Sequence, residues 1–296
     1  MVVLICTCSD GLFRNIKTSI KLRVFRCSVV LLSLIWLVCP AAAQFDYTGY
    51  HKYPEFRTWS ALPGSGYGLT PDGDFSSSGA LAYSTPVAYS LGQWKTVIGA
   101  GVVGHAQGFD FFQTRQSGGQ GDFTTQGNGT GVISTGFGLG RAGMLTASLM
   151  ELSGLGNTAF NFQYSPGLQT HRVRYAFGVQ DLRGNGGSSG QDEPGDSDNS
   201  TSFYGAATAD LGWNGSFVTA GTGTHRFAYG FANASTNIMR DGKVYAEFDG
   251  QFWNSGITYA VPLGAISNGP LDRVKLQLSV GEAAGRHAYW GVFLTF

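Results

Sequence analysis

Cysteine is absent from most of this 296-residue chain. The four cysteines all lie close to the N-terminus, at Cys6, Cys8, Cys27 and Cys39. Once that part of the chain is removed, disulfides, cysteine-ligated metals and a cysteine nucleophile are excluded. Cys39 follows Val38, where acylation requires a small residue, so a lipid anchor at this cysteine is not expected.

Charged residues are also few, at 13% of the chain. The first 43 residues hold five cations and one acid, which leaves 14 Lys and Arg against 18 Asp and Glu in the rest. A chain with this acidic balance lacks the basic surface that binds phosphate backbones. No nucleic-acid partner is therefore predicted.

Long apolar runs are also missing. The N-terminal run 28–39 spans 12 residues, whereas a helix needs about 20 to cross a bilayer. It follows a basic stretch and precedes Ala41, Ala42 and Ala43. A basic stretch, a short apolar core and a small-residue end predict a secretory signal peptide over 1–43, cleaved near Ala43, rather than a membrane anchor.

Glycine and aromatic residues are abundant instead. The chain has 45 glycines and is 14% aromatic, which favours a large all-β domain or a closed membrane barrel. Between Lys243 and Trp253 the even positions are apolar or small, and the odd ones include Lys243, Glu247 and Asp249. A period of two residues is typical of a strand with one apolar and one polar face.

Turn signals separate 13 segments of this kind. They are 79–89, 94–106, 129–141, 142–152, 157–165, 170–181, 201–213, 215–226, 228–239, 242–253, 255–263, 272–281 and 286–296. Because bacterial single-chain barrels have even strand numbers, either one segment is not a strand, giving about 12, or another precedes Gly79, giving 14. The predicted fold is all-β, a single antiparallel transmembrane β-barrel over 79–296. The segment 44–78 is expected to be periplasmic or to hold the first strand.

The placement of aromatic residues favours a membrane barrel over a soluble protein. Phe203 and Trp213 lie 10 positions apart around small apolar residues, close to the roughly 9–11 residues of a strand that crosses a bilayer. Long polar segments, 108–127 and 182–200, alternate with tight turns such as Asn214-Gly215, as in outer-membrane barrels. A secreted soluble β-sandwich that binds glycans through exposed aromatics stays open as an alternative.

Residues that could carry chemistry are sparse. The five histidines are scattered, and no metalloprotease, nucleophile-elbow or phosphate-loop motif is present. Glu247 and Asp249 form the best acid pair, on one inward face of a strand. Because barrel interiors are ordinarily polar, we expect this pair to join a cross-strand ionic network in the lumen with Lys243, Arg273 and Lys275. No catalytic, cofactor-binding or metal-binding residues are predicted, and an outer-membrane hydrolase stays open as an alternative.

The last eleven residues, RHAYWGVFLTF, alternate again and end in an aromatic. One face of this segment carries Ala288, Trp290, Val292, Leu294 and Phe296. The segment is similar to the signal by which outer-membrane proteins are handed to the barrel-assembly machinery. It predicts a closing strand whose apolar face meets outer-membrane lipid and whose edge pairs with the first strand.

The segments YAFGVQDLRGNG (175–186), SFYGAATADLG (202–212), AGTGTHRF (220–227) and KVYAEFDGQFWNSGITY (243–259) together resemble the C-terminal part of YjbH-like proteins. The matching positions, over about residues 170–260, are Gly178, Gln180, Asp181, Glu247, Asp249, Gly250, Asn254 and Gly256, and Phe248 stands where that family usually has Tyr. Members are outer-membrane β-barrels associated with exopolysaccharide export.

The resemblance implies a non-enzymatic barrel in the bacterial outer membrane, serving polysaccharide or envelope export or acting as a narrow channel. Polysaccharide-export components would then be its partners. Family members are often longer and have more than one domain, whereas this chain has room for a single barrel.

Overall fold

The computed structural model describes residues 59–103, 129–152, 157–167, 172–183, 201–250, 252–261, 274–283, 285 and 287–295. The expected signal peptide over 1–43, Arg273 and Phe296 lie outside these residues, as do most of the segments 108–127 and 182–200. The part of the chain that the structure describes contains no helix long and apolar enough to cross a membrane.

Within the described residues, twelve antiparallel strands form one sheet that closes on itself. In chain order they are β1 Thr96–Val103, β2 Gly129–Gly138, β3 Gly143–Leu152, β4 Asn157–Pro166, β5 Val173–Gln180, β6 Ser202–Asp210, β7 Phe217–Gly223, β8 Phe231–Met239, β9 Gly242–Phe248, β10 Trp253–Val261, β11 Lys275–Ala283 and β12 His287–Thr295. Each strand pairs with the next, and β1 pairs with β12. The predicted closed barrel of 12 strands is confirmed, and a two-sheet sandwich is wrong.

The seam between β1 and β12 runs in register from Val97 opposite Thr295 to Val103 opposite Tyr289. We call the end of the barrel where β1 begins and β12 stops the terminal end, and the opposite end the far end. The tight turn at Asn214 and Gly215 lies at the terminal end, with φ angles of 49° and 58°. Such positive angles are what a two-residue hairpin turn requires.

Alternation along the strands sends small and polar side chains inward and larger apolar ones outward. In β6, Ser202, Tyr204 and Thr208 are buried, while Phe203 is exposed. The same phase places Glu247 of β9 and Gln277 of β11 inside. The sequence period of two therefore marks the two faces of the barrel wall.

The first predicted strand, 79–89, is not part of the wall. Residues 59–91, which we call the plug, fill the lumen, and the chain joins the wall only at Thr96. The plug makes isolated bridges, such as Leu69 with Ala80, instead of a ladder. The expected barrel boundary at Gly79 therefore moves to Thr96, and the described part of 44–78 is neither a strand nor a segment outside the barrel.

The plug crosses the lumen three times. From Trp59 it descends to a hairpin around 70–74 at the terminal end, where the Thr70 N–H donates to Asp74 O over 2.9 Å. It rises to a turn at 83–85 near the far end and descends again to Leu91. Leu69, Leu81 and Leu91 are fully buried along this path, so the interior has an apolar core of its own.

Candidate functional site: the occupied lumen

The inner wall holds the plug mainly through polar side chains that bind the plug backbone. Gln163 of β4 donates from its amide to Val87 O (3.0 Å) and Tyr89 O (2.8 Å). The Ala88 N–H donates to Thr208 Oγ1 over 2.8 Å. Buried backbone groups need such partners because no water reaches them. The wall therefore supplies the hydrogen bonds that a partner strand would otherwise supply.

The same pattern recurs around the barrel. Further wall residues bound to the plug are Thr146, Ser148, Asn161, Ser165, Gln180, Arg226, Asn233, Ser235, Glu247, Lys275 and Gln277. They come from β3, β4, β5, β8, β9 and β11, and from the turn between β7 and β8. The plug is therefore fixed on many sides of the lumen at once.

Among these wall residues, Glu247 forms the most hydrogen bonds with the plug. Its Oε2 accepts from the Tyr83 N–H (2.9 Å) and from the Thr85 N–H and hydroxyl (3.2 and 2.9 Å). Its Oε1 accepts from the Ser84 N–H and hydroxyl (2.8 and 2.7 Å) and from the Asn254 amide (3.0 Å). Six donors surround one carboxylate that is fully buried. Such bonds replace the water that an ionised carboxylate loses on burial.

The carbonyl side of the same turn is held by Arg226, which belongs to the short helical turn His225–Phe227. Its Nη2 donates to Ser84 O over 2.9 Å, and its Nη1 donates to Gln180 Oε1. Asn233 donates to Thr85 Oγ1 over 2.9 Å. The turn therefore lies between a carboxylate that accepts its N–H groups and a guanidinium that donates to its carbonyl.

Aromatic rings fill the lumen beside the seam. Trp59 of the plug lies 5.0 Å from the Phe293 ring and 5.4 Å from the Tyr289 ring, both on β12. The Tyr83 ring is tilted against the Tyr289 ring with centroids 4.5 Å apart, and the Tyr67 and Phe293 ring centroids are 5.5 Å apart. We call these five residues the seam cluster.

At the terminal end the contacts are fewer and partly exposed. Lys275 donates to Phe75 O over 3.1 Å, and Lys95 forms an ion pair with Asp74. Half-exposed pairs of that kind contribute little to stability. The tightly bound part of the plug is therefore its turn at 83–85, not its hairpin at 70–74.

Four of the five residues predicted to form an ionic network can be placed. Lys243, Glu247 and Asp249 are buried on the inner face of β9 or directly after it, and Lys275 binds the plug. Lys243 donates to Gly215 O and Asn237 Oδ1, and lies 5.2 Å above the Phe217 ring. Glu247 faces donors of the plug instead. The shared inward phase is present, and the hydrogen bonds just named join Lys243 and Glu247 to uncharged partners. The plug occupies the space between the walls.

Asp249 and Glu247 share one donor. The Asn254 amide donates to Glu247 Oε1 (3.0 Å) and to Asp249 Oδ2 (3.1 Å), and Asp249 Oδ1 accepts from the Phe252 N–H over 2.7 Å. Both carboxylates are therefore engaged in structure. Among the described residues, no group of three or more His, Cys, Asp or Glu side chains could hold a metal ion.

The described members of the C-terminal segment have one face in common. Ala288 and Trp290 are exposed and Val292 and Leu294 are half-buried, while Tyr289 and Phe293 between them are buried. The buried residues are the ones that contact the plug. The outer face of β12 therefore carries the residues that the alternation assigned to lipid.

Sequence reasoning did not identify Arg226, Gln163 and the glycines of the seam as contacts of the plug. Gln163 stands at an inward position of a strand, a phase that was available from the sequence. Arg226 lies in a turn, where no period exists. Neither a protein-family model nor a curated protein matches this sequence.

Proposed function

We propose that this protein is an outer-membrane β-barrel closed by its own N-terminal segment, a non-enzymatic envelope component rather than an open channel. The observation that carries the proposal is the polarity of the barrel wall, whose outer face is apolar and whose inner face is largely polar. Large apolar side chains on the outer wall are exposed, with Ile257 at 47%, Val280 at 54% and Phe177 at 59%. Serine, threonine, asparagine and glutamine side chains are buried inside.

A water-soluble protein rarely exposes a continuous apolar band of this kind, whereas a bilayer requires one. Aromatic side chains at the two rims add to the argument. Trp94 and Trp213 are exposed at the terminal end, and Phe203 and Tyr229 at the far end. Tryptophan, tyrosine and phenylalanine at both rims match the two interfaces of a membrane.

The far end faces the cell exterior in this proposal. It carries the two longest connections, 104–128 and 184–200, whereas the terminal end carries the tight turns after β2, β6 and β8 and one connection of intermediate length, 262–274. Short turns on the periplasmic side and long loops outside are the rule for outer-membrane barrels. The turn at 83–85, held by Glu247 and Arg226, then lies toward the outer surface.

Occupation of the lumen favours a scaffold over a channel. The wall and the plug share hydrogen bonds across the whole interior, and residues 79–91 are buried throughout. The resemblance to YjbH-like proteins adds a role in polysaccharide export, with export components and the barrel-assembly machinery as partners. The acid pair of Glu247 and Asp249 adds no support for a hydrolase, since both carboxylates are engaged inside the barrel.

Two measurements test the proposal. Purified protein refolded in lipid vesicles should migrate faster on a gel when unheated than when boiled, as a barrel does, and should pass no steady current in a planar bilayer. Recovery from cells in the soluble fraction without detergent would contradict the membrane location. Stable single-channel steps from the unaltered protein would contradict the closed lumen.

The export role needs a separate test. A strain without the gene should release less exopolysaccharide, and the unaltered gene should restore it. Unchanged exopolysaccharide in that strain would remove the export role while leaving the closed barrel in place.

A further inference from the structure

Glycines line the inner side of the seam between β1 and β12 where the Trp59 ring of the plug packs against it. Gly101 of β1 and Gly291 of β12 are direct partners across the seam. A Cβ added at Gly291 would lie 2.5 Å from Trp59 Cζ2, and one added at Gly101 would overlap Trp59 Nε1. One indole ring of the plug therefore covers both strands of the seam at once.

The neighbouring positions repeat this arrangement. Gly99, two residues before Gly101, leaves the space for the Phe293 ring, as does Gly66 of the plug. Phe293 in turn contacts Trp59 and Tyr67. The inner face of β1 at the seam is thus flat, and the rings that cover it come from the plug and from β12.

We infer that the plug directs closure of the barrel: the seam cluster joins the plug to β12, and Trp59 then seats against the glycines of β1 and fixes the last pair of strands. The two strands of the seam are the most distant in the chain, so no connecting turn brings them together. Every other neighbouring pair is consecutive in sequence. A ring that contacts both strands from inside the barrel can hold them together where no connecting turn does so.

The proposal is independent of any role in export and concerns the folding of the chain itself. It distinguishes Trp59 from other buried rings of the plug. Tyr89 is also buried, but it contacts Phe217 of β7 with ring centroids 5.9 Å apart. In a barrel of twelve strands, β7 lies about as far from the seam as the wall allows. Tyr89 is therefore a matched control for loss of a plug ring.

Closure can be followed by disulfide formation across chosen strand pairs, in a full-length background in which all four native cysteines are replaced by serine. Ala100→Cys with Val292→Cys reports the seam, since these residues are partners on the outer side of β1 and β12. Ala207→Cys with Ala220→Cys reports the β6–β7 pair in the same way. Directly opposed side chains are close enough for a disulfide.

During refolding from urea into phosphatidylcholine vesicles under an oxidant, Trp59→Ala should slow the seam disulfide about tenfold or more. It should leave the β6–β7 disulfide within about twofold of the unaltered rate. Tyr89→Ala should not slow the seam disulfide more than the β6–β7 disulfide. Equal slowing of both pairs by Trp59→Ala, including complete failure to fold, would overturn the proposal, as would no slowing of either.

A second measurement approaches the contact from the wall. Gly291→Ala should slow formation of the seam disulfide in a chain that keeps Trp59, because the added methyl group would clash with the indole ring. In a chain that already carries Trp59→Ala, Gly291→Ala should cause little further slowing. Gly131→Ala is the control, since a Cβ there meets nothing within 4 Å. If Gly291→Ala slows the seam disulfide by the same factor with and without Trp59, the ring does not act through the seam and the proposal fails.

Discussion

Glu247 and Ser84 are 163 positions apart in the chain, and the carboxylate of one accepts both the hydroxyl and the N–H of the other, over 2.7 and 2.8 Å. Ser84 belongs to a turn that is completely enclosed by the barrel, and Glu247 belongs to the enclosing wall. The plug is therefore held by defined polar contacts with the strands as well as by apolar packing.

Replacing Glu247 with glutamine should destabilise the folded barrel by about 3 kcal/mol, because the NH2 group of the amide would face N–H and hydroxyl donors from which it cannot accept a hydrogen bond. The free energy of unfolding would be measured by tryptophan fluorescence in detergent as a function of urea. The half-buried Glu282 of β11 is the matched control, and Glu282→Gln should change the free energy by less than about 0.5 kcal/mol. Equal effects of the two changes would show that the contacts of Glu247 are not the cause.

The closed lumen should open when the plug is released after folding. A protease site inserted between Gly92 and Gln93, beside exposed residues at the terminal end, would allow the chain to be cut once the barrel has formed. The cut protein should stay closed in buffer, because the wall still binds the plug. At a urea concentration below the unfolding midpoint of the barrel, the cut plug should leave and current steps should appear in a planar bilayer.

The matched control carries the same protease site in the turn between Arg240 and Asp241, also at the terminal end. Cutting there leaves the plug attached to β1, so no current is expected at the same urea concentration. Current from both cut proteins would show that nicking alone loosens the wall. Silence from both would show that the plug does not exchange with solvent, or that the lumen without it does not conduct.

Position along a strand should decide the cost of a charge on the outer wall. Ile257 is the middle residue of β10, and Ile238 lies beside the turn that ends β8. In a bilayer, Ile257→Arg should cost about 2–4 kcal/mol and Ile238→Arg about 0–1 kcal/mol. Folding in vesicles, scored by the shift between unheated and boiled bands, would measure both. Equal tolerance of the two arginines would indicate that the outer wall faces water.

The sequence contains enough to identify the wall of this barrel but not its contents. Alternation predicted the strand segments after residue 94, and the even strand number reduced the choice to 12 or 14, of which the structure has 12. The segment that had to be removed, 79–89, has apolar residues at Leu81, Tyr83, Val87 and Tyr89, spaced by even intervals as in a strand. The plug shows this spacing without being a strand of the wall, because its residues 79–91 are buried on all sides inside the barrel.

The contacts of the candidate site could be predicted only in part. The inward phase of Glu247 follows from its strand, and its burial follows from that phase. Its partners do not follow, because Tyr83, Ser84 and Thr85 belong to a turn without regular structure. A single sequence shows no local pattern for contacts between residues more than 160 positions apart. The sequence therefore predicts only a network with Lys243 and Lys275, which share the inward phase of Glu247.

The hydrogen bond from the Gly68 N–H to Gln277 joins residues 209 positions apart, and the neighbouring bond from Gln277 to Gly66 spans 211. Such contacts give the fold a high contact order, which predicts slow folding. The plug precedes all its partners in the chain, so in the proposed export its apolar side chains emerge before the strands that cover them. On that route, a holding chaperone would have to protect residues 59–91 for longer than the strands that cover them.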